Sequence, residues 1–437
     1  MVSDSALRSA GTLLSRVRAP RMKQAEVTIF FIATLVSKDP YLRTRHLTIL
    51  IPNLNGEWVA HLVGQLATDR RSENRDTREA IKKLLDAKDF VELRRLLMHR
   101  MEFGTAGLRT RMGPGNSQMN DLTIIQTTQG LVKYLKETLP DSTHKGVVVG
   151  FDGRHNSHKW SKIVATICVN ADIPVYLFER FCPTPYVAFA LRTFDASCGI
   201  MITASHNPKE DNGYKVYWDN GAQIIPPHDV GISEAINKSL QPMESSWDTS
   251  VLKNESKKSL IINPMDDVIQ KYNEAALAIC YTRETNSECP VRFTYTAMHG
   301  VGHEFVCHTM KAFDFQDLIP VVEQVKVDPD FPTVKYPNPE EGEGALKLAM
   351  ETADKNRSKV ILANDPDADR LAVAEKTERL KFTLPLLLNI IPVEIDAFLP
   401  AQQQRIDTHS KEINVKIIKP IPQFTDEVIF CLESHAS

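Results

Sequence analysis

The chain is poor in cysteine, in net charge and in long apolar runs, and each shortage removes a class of protein. Seven cysteines (Cys168, Cys182, Cys198, Cys280, Cys289, Cys307 and Cys431) are scattered with no CxxC pair among them. An odd number in so long a chain points to a reducing compartment and buried structural thiols. Lys and Arg number 52 against 55 Asp and Glu, a net charge of −3. No global footprint for nucleic acid or an anionic membrane is present, so neither partner is expected. The near-apolar stretch Val27 to Val36 falls well short of the ~20 residues that span a bilayer. The later one, Phe382 to Pro400, is broken by Pro385, Pro392, Glu394 and Asp396, so no transmembrane helix is expected. Hydrophobic residues at 42 % and charged residues at 24 % are ordinary globular usage and exclude global disorder, a collagen-like repeat or a coiled coil.

What is present is length: 437 residues, enough for about three domains. The amino end carries Arg8, Arg16, Arg18, Arg21 and Lys23 against Asp4 alone, a composition shared by organelle transit peptides and disordered tails. A cytoplasmic protein is expected, with mitochondrial import as the minor alternative. Order is expected to begin near Asp76, where a DxxE signature (Asp76 to Glu79) precedes Ala80, Ile81, Leu84 and Leu85 at helical spacing,. The signature recurs as Asp89 to Glu92.

Beyond Arg109 the pattern alternates. Asp121 is expected to cap a helix, Val147 to Phe151 reads as a buried parallel strand, and a helix near Ile163 to Cys168 follows. Then come a strand at Pro174 to Phe178, a helix after Pro185, a strand at Cys198 to Thr203 and an amphipathic stretch from Pro227 to Leu240. Polar, aperiodic Gln241 to Lys258 looks like a linker or surface loop. A second α/β unit has strands near Val291 to Thr296, Ile319 to Val325, Lys359 to Ala363 and Leu371 to Ala374, with helices near Glu304 to Ala312 and Gly344 to Lys355. The fold class is therefore α/β: two consecutive three-layer α/β/α domains with mainly parallel mixed sheets and irregular ends. The expected boundaries are an extension at 1–76, a first domain at 77–242, a linker at 243–265, a second domain at 266–376 and a divergent tail at 377–437. That tail includes the apolar cluster Leu386, Leu387, Leu388, Ile390 and Ile391, from which self-association is expected.

Two segments placed at strand ends carry chemistry. In TASHNPKEDNGYK, Thr203 to Lys215, Ser205 stands beside His206 and is followed by Asn207, Pro208, Asn212 and Gly213, which favour a turn that displays its hydroxyl. A serine nucleophile near a cation, Lys215, suits phosphoryl transfer, although a bare Ser-His pair also fits a capped surface turn. In ANDPDADR, Ala363 to Arg370, Asp365, Asp367 and Asp369 alternate, so three carboxylates can meet on one hard cation such as Mg²⁺. An EF-hand is excluded, because its sixth position would be Arg370 and its twelfth Lys376. A solvated acidic turn and an aspartyl phosphatase remain open for this motif alone. FGTAGLR, Phe103 to Arg109, offers two glycines and a guanidinium able to grip a phosphate. HGVGH, His299 to His303, reads as a strand-end turn.

In this order, MEFGTAGLR, NDLTIIQTTQG, GIMITASHNPKEDNGYKVYWDNGAQI, HGVGH, FPTVKYPNPEEG and VILANDPDADRLAVAEK resemble the α-D-phosphohexomutase superfamily. The likeness is closest to its eukaryotic phosphopentomutase/phosphoglucomutase branch, which includes glucose-1,6-bisphosphate synthase, and spans about Thr77 to Lys376. The resemblance implies an isomerase that interconverts the 1-phosphate and the 5- or 6-phosphate of a sugar through a phosphoserine and a bisphosphate intermediate. It makes Ser205 the phosphoryl carrier and a metal ligand. Asp365, Asp367 and Asp369 become the Mg²⁺ ligands, Lys215 the general acid/base and His206 a catalytic neighbour. Arg109, Thr105, Asn207 and Arg370 fall to phosphate or substrate binding. Mg²⁺ and glucose-1,6-bisphosphate are the implied cofactors. The implied partners are ribose-1-phosphate, deoxyribose-1-phosphate or glucose-1-phosphate, and the family is monomeric. Neither the GE-rich sugar-reading loop nor the RTSGTEP-type phosphate loop of the family's third and fourth domains occurs in 377–437. Turnover by this chain is therefore open, the alternative being a non-catalytic sugar-phosphate-binding or regulatory remnant.

Overall fold

A computed structural model describes residues 75–376 except 88, 106, 140–144, 281–282 and 342, together with 382–383. The amino-terminal extension, Cys431 and the apolar cluster at 386–391 lie outside the described residues. No helix among the described residues is long and apolar enough to cross a membrane.

The described residues fall into two compact units, one holding those up to Arg100 with Pro114–Ser117, the other Met101–Gly113 and those from Gln118 on. The smaller unit contains α1 (Arg75–Asp86) and α2 (Phe90–Leu97). Asp76 lies inside the first turn of α1 and does not cap it, whereas the Asp89 side chain caps α2 by accepting from the Glu92 amide. Ile81, Leu93, Leu96 and Leu97 are buried. Gly115 has φ +93°, and a Cβ there would sit 2.4 Å from the Leu96 carbonyl oxygen, so only glycine fits this close approach,.

In the larger unit the first domain runs β1 (Leu108–Arg111), α3 (Asp121–Thr138), β2 (Val147–Phe151), α4 (Ser157–Asn170), β3 (Val175–Leu177), α5 (Thr184–Thr193), β4 (Cys198–Ile202), β5 (Asp211–Trp218), α6 (His228–Asn237) and β6 (Ile261–Ile262). The strand order is β1-β5-β4-β2-β3-β6. β4, β2, β3 and β6 are parallel, β5 runs back antiparallel to β4, and the edge strand β1 pairs antiparallel with β5. Strand alternation divides the core between two faces. Val147, Val149, Ile200, Tyr214 and Val216 pack with α3, α4 and α6, while Val148, Met201 and Tyr217 point to α5 and to Met265 and Val268. Both faces are covered, which is why the strands read as solid apolar runs.

The second domain comprises α7 (Met265–Ala278), α8 (Arg283–Asn286), β7 (Phe293–Thr296), α9 (Gly302–Ala312), β8 (Ile319–Pro320), α10 (Glu343–Asn356), β9 (Val360–Asn364), β10 (Leu371–Lys376) and β11 (Phe382–Thr383). Its sheet order is β11-β10-β9-β7-β8, parallel from β9 to β8 and antiparallel toward β11. Ile361 and Ala363 face Ala345, Leu346, Ala349 and Ala353 of α10, and Leu362 faces Met310 of α9.

Two local expectations are corrected. Asn120 caps α3, trading hydrogen bonds with Thr123 in a capping box. Asp121 instead accepts from Trp160 Nε1 at 2.8 Å and Lys159 Nζ at 2.5 Å. The stretch from Gln241 to Lys258 is no loose linker. It coils into three 3₁₀ turns around buried Trp247 and delivers β6 to the first sheet, with the Gln129 amide holding the Ser239 and Gln241 carbonyls. Helices α7 and α8 carry too weak a periodicity to have been foreseen. The thiols divide: Cys168, Cys182 and Cys198 are buried, the Cys168 thiol being pushed up to about 12, whereas Cys280, Cys289 and Cys307 are half-buried.

Candidate active site

The site forms where two strands of parallel sheets end in loops that turn back into antiparallel neighbours. β4 leads into the serine loop, and β5 returns in a register that sets Lys215 opposite Met201. β1 lies beside β5 with Arg109 opposite Gly213. Gly107, at φ +73°, lets the chain entering β1 pass so close that a Cβ would sit 1.9 Å from the Tyr214 carbonyl oxygen. Three neighbouring strands thus bring Arg109, Lys215 and Ser205 to one edge.

Ser205 is buried and has φ 51°, a left-handed conformation that non-glycine residues hold only under constraint,. The constraint is visible. Its amide donates to Thr203 Oγ1 at 2.9 Å. Arg154, itself buried, donates from Nη2 to the Ser205 and Asn207 carbonyls, both at 2.6 Å. From Nη1 it donates to the Pro208 and Asp211 carbonyls at 2.8 and 3.3 Å. Arg154 Nε lies 3.3 Å from Asp152 Oδ2, and Asp152 Oδ1 accepts from Ser157 Oγ at 2.7 Å. The Phe331 ring of the second domain stacks 4.9 Å from the guanidinium. One cation therefore fixes the whole serine loop.

From the second domain, β9 and β10 frame the loop Asp365–Arg370. Asp367 Oδ2 is the junction of the two domains: it accepts from Thr184 Oγ1 at 2.7 Å, Lys215 Nζ at 2.7 Å and Ser205 Oγ at 3.2 Å. The Thr184 amide also donates to the Asp367 carbonyl at 2.9 Å. Lys215 Nζ reaches Asp369 Oδ2 at 2.6 Å. Arg109 donates to Ser205 Oγ at 3.3 Å and to Asn207 Oδ1 at 3.4 Å.

Charge is distributed unevenly over this cluster. Burial and then the flanking carboxylates push Asp365 well above the ordinary carboxyl range,. Burial pulls Asp367 the same way, but Lys215 and the hydrogen bonds from Lys215 and Thr184 outweigh it and hold it low. Burial would lower Lys215, and the two carboxylates more than reverse that, so the ammonium stays charged. Burial, then Arg370 and Arg109, press the His206 imidazole down to about 4, and its Nδ1 is without a hydrogen-bond partner.

The carboxylates fit a hard cation. Asp365 Oδ2, Asp367 Oδ1 and Asp369 Oδ1 are buried oxygens without hydrogen-bond partners, a costly state for acceptors removed from water. Ligand oxygens of the three side chains lie within 4.8 Å of one another. An all-oxygen, all-anionic set of this kind suits Mg²⁺.

Of the residues expected from sequence, Ser205, Lys215, Arg109, Asn207, Asp365, Asp367 and Asp369 converge through the hydrogen bonds given above. His206 follows Ser205 in the same loop, within range of the Arg370 and Arg109 charges that oppose its protonation. Arg370 stands at the rim, its Nε 3.9 Å from Asp365 Oδ2. Thr105 is exposed on the turn closed by Gly104 and Gly107 and makes no hydrogen bond to Ser205 among the described residues. Sequence reasoning missed Asp152, Arg154 and Thr184. A signal existed: Asp152 to Arg154 directly follows β2, the neighbour of β4, and so had to lie at the same sheet edge.

Family models for "Phosphoglucomutase/phosphomannomutase, alpha/beta/alpha domain I" and "domain II" match residues 100–243 and 270–378. The chain belongs to the α-D-phosphohexomutase superfamily. Among its relatives, human phosphopentomutase is 51% identical over 315 residues, covering 71% of this chain and 51% of the relative. Human glucose 1,6-bisphosphate synthase is 47% identical over 320 residues, covering 71% and 50%. The chain thus spans about half the length of the curated relatives it matches. A solved structure from Thermus thermophilus, described as a phosphomannomutase, shares the fold at a TM-score of 0.51 and 21% identity, covering 63% of this chain and 57% of its own.

Proposed function

We propose that the described domains are the phosphoryl-carrying half of a sugar phosphomutase of the phosphopentomutase and glucose-1,6-bisphosphate synthase kind, with Ser205 as the carrier. The observation that carries this reading is the meeting of Ser205 Oγ with Asp367 Oδ2 at 3.2 Å and Arg109 Nη2 at 3.3 Å. A nucleophile, an acidic cluster and an anion clamp come together from both domains.

In the transfer, the phosphoserine Oγ–P bond breaks as an O–P bond forms to a sugar hydroxyl, whose proton leaves to a base. Ser205 Oγ departs carrying negative charge. Lys215 Nζ shares Asp367 Oδ2 with that oxygen, so the ammonium can return a proton to the departing serine oxygen,. Arg109 steadies the phosphoryl oxygens, and Arg154 keeps Oγ in one place throughout, which is most of what phosphoryl transfer asks of a protein. Asp365, Asp367 and Asp369 would hold Mg²⁺, which supplies Lewis-acid charge neutralisation when bound. The class of substrate is a pentose or hexose monophosphate with its bisphosphate as phosphoryl donor.

The test is intact-mass and phosphopeptide analysis after incubation with glucose-1,6-bisphosphate and Mg²⁺. One acid-stable phosphate on Ser205, absent from Ser205→Ala, is expected. An acid-labile phosphate on Asp365, or no incorporation at all, would overturn the reading.

A further inference from the structure

The described part of the proline-rich segment, Asp328 to Glu341, lies between α9 and α10 and already meets the serine loop through Phe331, which stacks on Arg154. A second of its side chains reaches the aspartate loop. Glu340 sits on the 3₁₀ turn Pro339–Glu341, its amide capped by Asn338 Oδ1 at 3.2 Å while Pro339 beside it is buried. From there Glu340 Oε1 accepts from Arg370 Nη1 at 2.8 Å, with both side chains about four-fifths buried.

The backbone of Arg370 is already fixed without Glu340. Its amide donates to Asp365 Oδ1 at 3.2 Å, and its carbonyl accepts from Asn364 Nδ2, whose amide oxygen is held by Tyr295 Oη at 2.9 Å. What these bonds leave undetermined is where the guanidinium points. Its Nε stands 3.9 Å from Asp365 Oδ2 and 4.0 Å from Asp369 Oδ1, the same two oxygens that lack hydrogen bonds. These are long ion pairs, and a shift of about an ångström would turn them into hydrogen-bonded ones that occupy both oxygens,. A cation and the guanidinium would then compete for the same lone pairs.

We propose that Glu340 is a positioning residue that holds the Arg370 guanidinium off Asp365 and Asp369, so that the carboxylates stay open to a divalent cation and the free edge of the guanidinium faces the phosphoryl site. The inference rests on the cation-site reading of Asp365, Asp367 and Asp369. It gives the proline-rich loop a function: an ion pair from outside the metal loop sets the metal loop's own arginine.

The experiment measures Mn²⁺ affinity by electron paramagnetic resonance on the full chain, for wild type, Glu340→Ala, Glu340→Gln, Arg370→Ala and the double variant Glu340→Ala/Arg370→Ala, with Asp367→Asn as control. Glu340→Ala is expected to weaken Mn²⁺ binding about tenfold, because the released guanidinium pairs with the metal oxygens. Glu340→Gln keeps an acceptor for Nη1 and should lose no more than about threefold. It carries the test where the alanine variant does not fold. In the Arg370→Ala background, removing Glu340 is expected to change affinity less than about twofold, since nothing is left for it to hold. Equal loss in both backgrounds would mean that Glu340 acts only as a nearby negative charge, and would overturn the proposal. So would wild-type affinity in both Glu340 variants. Mn²⁺ binding that survives Asp367→Asn, or is absent from wild type, overturns the cation-site reading and this inference with it. Binding abolished by Asp367→Asn and untouched by the Glu340 changes overturns this inference alone.

Discussion

The serine loop and the aspartate loop are built on one plan and finished differently. Each leaves the end of a parallel strand, β4 or β9, and turns back into an antiparallel one, β5 or β10. In the serine loop, one buried guanidinium binds four backbone carbonyls, and Asp152 balances its charge within the same domain. The aspartate loop keeps three buried carboxylate oxygens without partners, and its two inner carboxyls are pushed in opposite directions. The first loop is complete as protein and holds a nucleophile still. The second stores repulsion that an incoming cation would relieve. A phosphoryl-transfer site needs both: an atom that does not move, and a charge sink that is filled only in the working complex.

The comparison breaks most severely at Arg154. Replacing it by Met takes the guanidinium from four carbonyls, the Ser205 one in a fully buried bond, and leaves the buried Asp152 carboxylate without its counter-charge, costing about 3–5 kcal/mol of folding stability,. Arg154→Lys can satisfy only part of the fan and should fall between. Guanidinium chloride unfolding of the three proteins checks this. A loss under about 1 kcal/mol for the Met variant would mean that water replaces the guanidinium and that the serine loop is not fixed as described.

The aspartate loop can be sharpened by separating its two inner carboxyls in chelator. Asp365→Asn removes repulsion and should raise stability by about 1 kcal/mol, while abolishing the further stabilisation that Mg²⁺ confers on wild type. Asp367→Asn takes the charge from the acceptor shared by Lys215, Thr184 and Ser205, and should cost about 2–4 kcal/mol. The pH dependence has a definite sign. Asp365 titrates higher folded than unfolded, so the folded state binds more protons above the ordinary carboxyl range. The Asp365 contribution to the stability of the chelated protein therefore falls as pH rises from about 4, and the pH profile of Asp365→Asn differs from wild type by the loss of that fall,. Thermal melts with and without Mg²⁺ distinguish the two variants.

Why some of this was legible in sequence and some not follows from the same physics. Solid apolar runs such as Val147 to Phe151 declare themselves because a parallel strand is buried on both faces, and Ser205 and the aspartates declare themselves because they follow such runs. β5 did not, although Tyr214, Val216 and Trp218 pack on one face and Tyr217 on the other. Asn212, Gly213 and Lys215 interrupt its apolar pattern, because the site occupies the start of that strand. The stretch before β6 misled by composition: its 3₁₀ turns are secured by Gln129 and Trp247, partners distant in sequence that no local pattern announces. Arg154 was missed for a related reason: its place after β2 put it at the right sheet edge, but its task is to satisfy carbonyls, which leaves no motif to mark which residue there matters.

The finest distinction between the loops lies at His206, which belongs to the serine loop but answers to charges from elsewhere. Burial, Arg370 and Arg109 depress it to about 4. An unfolded histidine, titrating near 6.5, takes up its proton first as pH falls. The unfolded state then binds more protons, so this residue's contribution to stability is intact above about pH 6.5 and is lost progressively toward pH 4. The effect should be the smallest of the three, because the imidazole is only half-buried and solvent screens it. His206→Gln should remove that part of the slope while leaving the protein folded at neutral pH. Imidazole nitrogen chemical shifts give the direct measurement: His206 is expected to remain neutral throughout pH 5–7 in the dephosphorylated protein. Arg370→Ala should raise its pKa by removing one of the three cations, Arg370, Arg109 and Lys215, that oppose protonation, and a phosphate placed on Ser205 should raise it further, since a dianion beside the ring favours the charged form. A His206 that titrates near 6.5 in every one of these states would show that the ring is wetter than its surroundings in the structure imply, and would take it out of the electrostatic unit formed by the two loops.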